Sequence, residues 1–327
     1  MADYKDIKGG TVQNFAGDPP APIAGQVWYD NAAAAFQYMS SNPAGSWATS
    51  NAMNTARRTL AGAGIQTAAL GFGGQVSSTD KVLTESYDGS SWTEVADLNT
   101  ARRELGGTGA SNTAAIAVGG GPPNTAVAES WDGSSWTEVA DLNTARASFK
   151  CLGTNTSALA TGGYTSTQVG VVESWNGSSW TEVGDLNQVR YGMMTAGLNN
   201  TSGLVAGGHA SSPNSSPNTE TWNGTAWTEV GDLNTGRREV PGDGIATVAL
   251  IFGGNAGTTL QATTEDWNGT SWTEVADLST ARQILAGTGT STAALAFGGG
   301  IGGGTTDTGA TEEWNVPTKT NETITTS

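Results

Sequence analysis

The chain has 327 residues, with 14 Lys and Arg against 30 Asp and Glu, and its formal net charge of −16 argues against binding phosphate backbones or anionic lipid heads. With 47 Gly, 12 Trp and only 13% charged residues, it suits short strands and tight turns rather than long helices, and its aromatic and aliphatic side chains supply the buriable area that a disordered chain lacks. One cysteine, Cys151, excludes an intrachain disulfide scaffold.

In chain order, Met1 to Asp6 has no apolar signal core, and no stretch approaches the roughly 18 apolar residues of a membrane span. Synthesis in a cytoplasm without membrane insertion is expected. Tyr4 to Phe15 reads as a strand or a docking arm. Residues 17–22 (Gly-Asp-Pro-Pro-Ala-Pro) read as a stiff linker. The stretches 25–30 and 36–39 then read as a hairpin. Residues 1–44 are thereby set apart as an arm, with Tyr4, Phe15, Trp28 and Tyr29 as candidate partner contacts.

From residue 45 onward one unit recurs. Its second tryptophan falls at Trp47, Trp92, Trp136, Trp180, Trp227 and Trp272, in steps of 44 to 47 residues. A period of ~40–50 points to a propeller. Each unit divides into four strands. Strand A follows an arginine, and strand B is a small apolar run ending in Gly-Gly. Strand C ends at Tyr87, Trp131, Trp175, Trp222, Trp267 or Trp314, and strand D carries the second Trp. Asp-Gly or Asn-Gly separates C from D at 88–89, 132–133, 176–177, 223–224 and 268–269, the signature of a type I′ hairpin. The last unit, from Arg282 to about 316, lacks its own strand D, while an unaccompanied strand D lies at 45–49. The expected fold is therefore all-β: a six-bladed propeller of four-stranded antiparallel blades over 45–316, with a tail at 317–327. Its sixth blade is closed by the strand around Trp47 pairing with strands from 282–316, which removes both open sheet edges. The indoles are expected to pack between blades.

Two charged positions share the period. Arg57, Arg102, Arg146, Arg190, Arg237 and Arg282 match in number Glu85, Glu129, Glu173, Glu220, Glu265 and Glu312. Six structural ion pairs are the bland reading. A ring of arginines gripping an anion at a central pore is the sharper one, against which the excess of acid counts. Glu94, Glu138, Glu182, Glu229 and Glu274 read as solvated strand positions. No carboxylate pair visibly breaks the repeat symmetry as a glycosidase site would, so no catalytic residue is assigned. A single histidine, His209, cannot build a repeated His-based metal site, and it reads as an exposed loop residue; no metal or cofactor is expected. Cys151 stands where four other units have glycine, so it reads as a small buried side chain.

The segment from Gly-Gly to Glu varies most between units, and in an up-down blade all six such B–C loops emerge on one face. Their Ser, Thr, Asn and Gly content suits hydrogen bonding to a glycan or a protein, although drift in unconstrained loops would look the same. Asp80, Lys81, Asn124, Tyr164, His209, Asn214, Asn255 and Asp307 are the candidate binding residues on that face.

The double glycine, the strand-C aromatic and the strand-D tryptophan resemble the kelch motif over about 270 residues. The Pro-x-x-Gly-Gln-x-Trp-Tyr stretch, Pro22 to Tyr29, resembles N-terminal segments of tail-fibre and other virion proteins of tailed phages, notably marine ones, and the Asn-Gly-x-x-Trp-Thr repeats are similar to propellers of such phages. These resemblances imply a non-enzymatic virion protein: a tail-fibre, tail-associated or capsid-decoration propeller. Its arm would contact other virion proteins, and its loop face a host surface glycan or protein. A bacterial kelch-like adaptor or adhesin and a glycan-cleaving propeller enzyme are the rival readings. No coiled-coil heptads set an oligomeric state, so a homo-oligomer is left open.

Overall fold

The computed structural model describes residues 13–16, 19, 26–39, 45–211, 214–317 and 321–323. The chain divides into two compact units, Ser46–Asn315 and the flanking segments Met1–Gly45 with Val316–Ser327.

Ser46–Asn315 is a six-bladed β-propeller. Blade 1 has strands A Ala61–Ile65, B Ala68–Phe72, C Thr84–Tyr87 and D Trp92–Val95; blade 2 has Gly106–Ser111, Ala114–Gly120, Thr125–Trp131 and Trp136–Val139. Blade 3 follows with Lys150–Thr154, Ser157–Tyr164, Gln168–Trp175 and Trp180–Glu182, and blade 4 with Met194–Asn199, Ser202–Ala206, Thr219–Trp222 and Trp227–Glu229. Blade 5 comprises Gly242–Ile245, Val248–Phe252, Thr264–Trp267 and Trp272–Val275. Blade 6 takes Ala286–Thr290, Ala293–Phe297 and Thr311–Asn315 from the C-terminal side and Ser46–Ser50 as its strand D.

The Asx-Gly pairs set the C–D hairpins. Asp88 Oδ1 accepts from the Ser90 and Ser91 amides and the Ser90 hydroxyl, each at 2.8 Å. Gly89 takes φ +92°, which costs a residue without Cβ little. The same bonds hold the exposed Asp88 and Asp132 carboxyls down at about 2. Each hairpin places the two aromatics opposite one another, from Tyr87↔Trp92 to Trp267↔Trp272. The closing strand continues the series with Trp314↔Trp47. Strand-D indoles reach back to the preceding blade: Trp136 Nε1 donates to Thr84 Oγ1 at 3.1 Å, Trp92 to Thr311 and Trp47 to Thr264 at 3.0 Å. The closing strand is thus tied into both blade 6 and blade 5.

Strand A begins later than directly after the arginine. In every unit the residue two places on adopts a left-handed backbone, φ +51° to +63°, and the extended strand starts beyond it. Gly-Gly lies where strand B meets the next blade. The second glycine's amide donates to the carbonyl of the next blade's repeat arginine, as in Gly74 N→Arg102 O (3.0 Å), and the last such bond, Gly299 N→Arg57 O (3.0 Å), completes the circle. A Cβ on Gly74 would lie 2.7 Å from the Arg58 carbonyl, which together with φ +90° excludes other residues. Cys151, at the repeat's small-residue position, is buried, and burial pushes its thiol up to about 12.

The second unit contains a small sheet. Gln13–Phe15 pairs in parallel with Val27–Asp30, which forms the expected hairpin with Ala35–Met39. The C-terminal stretch read as a tail supplies the fourth strand, Asn321–Thr323, against residues 37–39. Three-residue pairing on an existing edge carries little hydrophobic periodicity, which is why the sequence does not announce it.

Candidate functional site

The repeat arginines and glutamates form pairs inside the blades. Arg57–Glu85 (3.1 Å), Arg102–Glu129 (2.8 Å), Arg146–Glu173 (2.6 Å), Arg190–Glu220 (2.6 Å), Arg237–Glu265 (2.7 Å) and Arg282–Glu312 (2.9 Å) all have side chains at most 2% exposed. Much of the remaining capacity is used locally, although the Nε of each of the six arginines is buried without a hydrogen-bond partner. Arg190 Nη1 donates to the Gly207 and Asn218 carbonyls at 3.1 and 2.6 Å, and Glu220 Oε2 accepts from the Asn187 amide and Nδ2 at 2.8 and 2.9 Å. A ring of arginines open to a pore is therefore not what the residues build: the guanidiniums anchor the D–A connector to strand C.

The innermost A strands surround a central channel of about 490 Å³. Small residues allow the strands to converge there, and hydroxyls tie neighbours together: Thr108 Oγ1 donates to Gly153 O at 2.6 Å and Thr195 Oγ1 to Cys151 O at 2.9 Å. At the B–C end of the channel stand the six left-handed residues Thr59, Glu104, Ser148, Gly192, Glu239 and Ile284. For the five that are not glycine this backbone is unfavourable by ~1–2 kcal/mol each. A circle of interblade hydrogen bonds offsets the cost. Glu104 N donates to Thr59 O (2.9 Å), Ser148 N to Glu104 O (2.8 Å), Gly192 N to Ser148 O (2.8 Å), Ile284 N to Glu239 O (3.0 Å) and Thr59 N to Ile284 O (2.9 Å). The sixth link comes one residue late, from Val240 N to Gly192 O (3.3 Å).

Charge enters this ring asymmetrically. Glu104 accepts from Ser148 Oγ at 2.7 Å, and Glu104, Lys150 and Glu239 share one small recess of about 20 Å³. Burial, reinforced by the Glu104 charge, pushes the Glu239 carboxyl up to about 7 against the opposing pull of Lys150 and Arg238. Burial likewise raises Asp243, on strand A of blade 5, to about 7, although the Gly244 and Gly289 amides and the Thr288 hydroxyl pull it down. Burial lowers the Lys150 ammonium. A carboxyl whose pKa is raised on folding binds its proton more tightly in the folded chain, so stability is greatest below the unfolded pKa and falls as pH rises through about 7. The wild-type melting midpoint should therefore drop more between pH 5 and pH 8 than that of Glu239→Gln. Parallel midpoint-against-pH curves would show that Glu239 does not titrate in this window.

The expected binding residues all lie on or beside the B–C loops, and most of them tie blades together. Asp80 pairs with Arg103 of the next blade at 3.0 Å, and Asp307 with Arg58 at 2.6 Å, closing the seam between blades 6 and 1. Asn214 Oδ1 accepts from Arg238 Nη1 at 2.9 Å. Asn124 Nδ2 donates across a seam to the carbonyls of Tyr164 and Thr165 at 2.9 and 2.8 Å. Asn255 is buried, its backbone paired with Arg238. Lys81 is held through its backbone, its amide on Gly74 O at 2.8 Å. Tyr164 is 40% exposed. His209 is not an exposed loop residue but a half-buried ring stacked on Tyr191, centroids 4.5 Å apart and planes at 17°. In blades 1, 5 and 6 the loop folds into a further two-stranded hairpin.

The residues missed from sequence are those just after the repeat arginine: Arg58, Arg103, Tyr191 and Arg238 one place on, and Lys150, Glu239 and Asp243 slightly further. Their signal was present. At Lys150's position the other units carry Ala61, Gly106, Met194, Pro241 and Ala286, so a lysine departs from the pattern. In the arm, Trp28 is fully buried, Phe15 is half-buried, and Tyr29 packs edge-on against Phe36 at 5.1 Å. Phe36 itself, 47% exposed, is the more accessible aromatic; Tyr4 lies outside the described residues. No protein-family model matches this sequence, and a comparison with curated proteins finds no match.

Proposed function

We propose that this chain is a non-enzymatic, kelch-like binding propeller of a tailed-phage particle. Its N-terminal segment contacts another virion protein, and its B–C loop face contacts a host surface glycan or protein, or a neighbouring virion protein. The observation that carries the binding role is the lacing of the B–C loops. Arg58–Asp307, Arg103–Asp80 and Arg238–Asn214 tie the residue after a repeat arginine to the preceding blade's loop, and Asn124 to Thr165 connects loop to loop, so the most variable segments form one pre-ordered, largely uncharged face. A surface ordered before binding avoids much of the entropic cost of ordering loops on contact. The repeat carboxylates support the non-enzymatic reading, because their positions are accounted for: Glu85 and its equivalents hold arginines, and Glu94 and its equivalents are exposed on strand D. The virion role rests on the resemblance of residues 22–29 and of the repeats to phage proteins.

Particles assembled with a chain lacking residues 1–44 test the placement. The propeller, which begins at Ser46, is retained in that chain. Loss of the protein from purified particles is the expected result, and unaltered incorporation counts against the arm as the anchor. Turnover of host polysaccharide, abolished by one carboxylate substitution, would overturn the non-enzymatic reading.

A further inference from the structure

The six seams between blades share a backbone plan, and the side chain placed on it differs from seam to seam. At each, the residue after the repeat arginine sits beside the first residue of a B–C loop, bridged by backbone: Arg58 with Gln75, Arg103 with Gly121, Ala147 with Tyr164, Tyr191 with His209, Arg238 with Asn255 and Gln283 with Gly300. Three of these positions carry arginine, and each reaches back to a polar side chain of the preceding loop: Asp307, Asp80 or Asn214. Between blades 3 and 4 the arginine is replaced by Tyr191, and the loop residues on either side are aromatic. Tyr191 meets Tyr164 edge-on at 5.5 Å and stacks on His209 at 4.5 Å.

This cluster is fringed by planar amides. Gln168 Nε2 lies 3.2 Å from His209 Nδ1. An amide NH2 can only donate, so the imidazole accepts at Nδ1 and carries its proton on Nε2. Burial and the nearby Arg238 lower the imidazole pKa, while Asn214 hydrogen-bonds it. Arg238 is itself engaged by Asn214. Asn124 spends both amide protons on the Tyr164 and Thr165 carbonyls, which fixes the Tyr164 backbone and leaves Oδ1 as an acceptor. The outermost ring, Tyr164, is 40% exposed although its neighbours hold it in place. Packing alone does not call for a positioned ring left open to solvent; a ligand with an apolar face does.

We propose that the seam between blades 3 and 4 is a subsite for a neutral carbohydrate, with Tyr164 as the ring that receives a sugar's C–H face, Tyr191 and His209 as its backing, and the amides of Asn124, Gln168 and Asn214 for the hydroxyls. A pyranose presents this combination, axial C–H bonds on one face and hydroxyl donors and acceptors round the edge. The rings and amides of the cluster carry no charge, the neighbouring Arg238 is already held by Asn214, and the chain's net charge of −16 favours neutral over acidic sugars. The assignment rests on the binding role proposed above and names its ligand class.

The test applies the full-length chain to an array of neutral hexose and N-acetylhexosamine oligosaccharides, followed by calorimetric titration of the strongest ligand. Tyr164→Ala and Tyr191→Ala should each weaken binding about tenfold or more, the scale of losing one central aromatic contact. Tyr164→Phe, which keeps the ring, should stay within about threefold of wild type. Glu94→Gln, at an exposed strand-D position away from the loop face, should bind as wild type does, and matched melting midpoints exclude misfolding of the alanine variants. Wild-type binding that Tyr164→Ala leaves unchanged overturns the subsite and leaves the binding role standing. Absence of binding to every neutral oligosaccharide also overturns the subsite, while particle incorporation decides the virion role separately.

Discussion

Removing the strand Ser46–Ser50 is expected to cost this propeller far more than removing the residues that precede it. A chain beginning at Ser46 keeps all six four-stranded blades, whereas one beginning at residue 51 leaves Thr311–Asn315 as an open edge. The same deletion removes Trp47, which packs on Phe252 of blade 5 at 4.8 Å and on Trp314 of blade 6 at 5.5 Å and donates to Thr264 at 3.0 Å. Because Trp47 is only half-buried, losing its indole alone costs less than the ~3–5 kcal/mol of a fully buried one. The exposed ladder edge adds a route to aggregation. Both truncated chains lack the N-terminal unit, so the difference between them isolates the strand. The shorter chain should show a much lower melting midpoint, light scattering on concentration, and lost amide protection in blades 5 and 6. Equal midpoints for the two chains would mean that the ring does not depend on this joint.

Glu220→Ala should destabilise the protein by about 3–5 kcal/mol, because it strands the Arg190 guanidinium, whose side chain is 0% exposed, without its counter-ion. An exposed pair would contribute less than about 1 kcal/mol, so denaturant unfolding separates the two cases clearly. The apolar replacement Arg190→Met with Glu220→Leu removes both charges, and buried pairs so replaced often lose little. Here only partial recovery is expected. The Gly207 carbonyl and the Asn187 amide would lose their partners, while the Asn218 carbonyl keeps the Gly207 amide and Asn187 Nδ2 keeps the Trp227 carbonyl, at a cost of ~1–3 kcal/mol for a group left buried and unsatisfied. Full recovery would show that the pair neutralises itself and holds nothing else. A loss under about 1 kcal/mol in Glu220→Ala would show that water reaches the pair.

These two experiments probe features that stood at different depths in the sequence. The blade number, the Asx-Gly hairpins and the closing strand were legible because each depends on local chemistry repeated in phase. Asp-Gly and Asn-Gly set the turn, Trp in a fixed place sets the register, and an unmatched Trp strand at one end complements a unit lacking it at the other. The arginine–glutamate pairing was legible as one of two readings, since matched period says that two charges keep company but not whether they face each other or a pore. The aromatic seam was only half legible: Tyr164 and His209 were visible as loop residues, whereas Tyr191, next to a repeat arginine, looked like scaffold.

The sequence by itself determined what its repetition encodes: an all-β ring of six units, which residues recur in each, and how the ring is shut. Only the tertiary structure decided which non-repeating residues meet. Tyr164, Tyr191 and His209 come from different strands and loops, and Glu104, Lys150 and Glu239 from three different blades. Their contacts arise from curvature that brings distant parts of the chain to one axis or one seam, and no local periodicity records them. The fourth strand of the small sheet, Asn321–Thr323, was likewise decided by pairing across almost the whole chain length. Repetition constrains what every blade must do alike, and the departures from it acquire meaning only once the ring places them side by side.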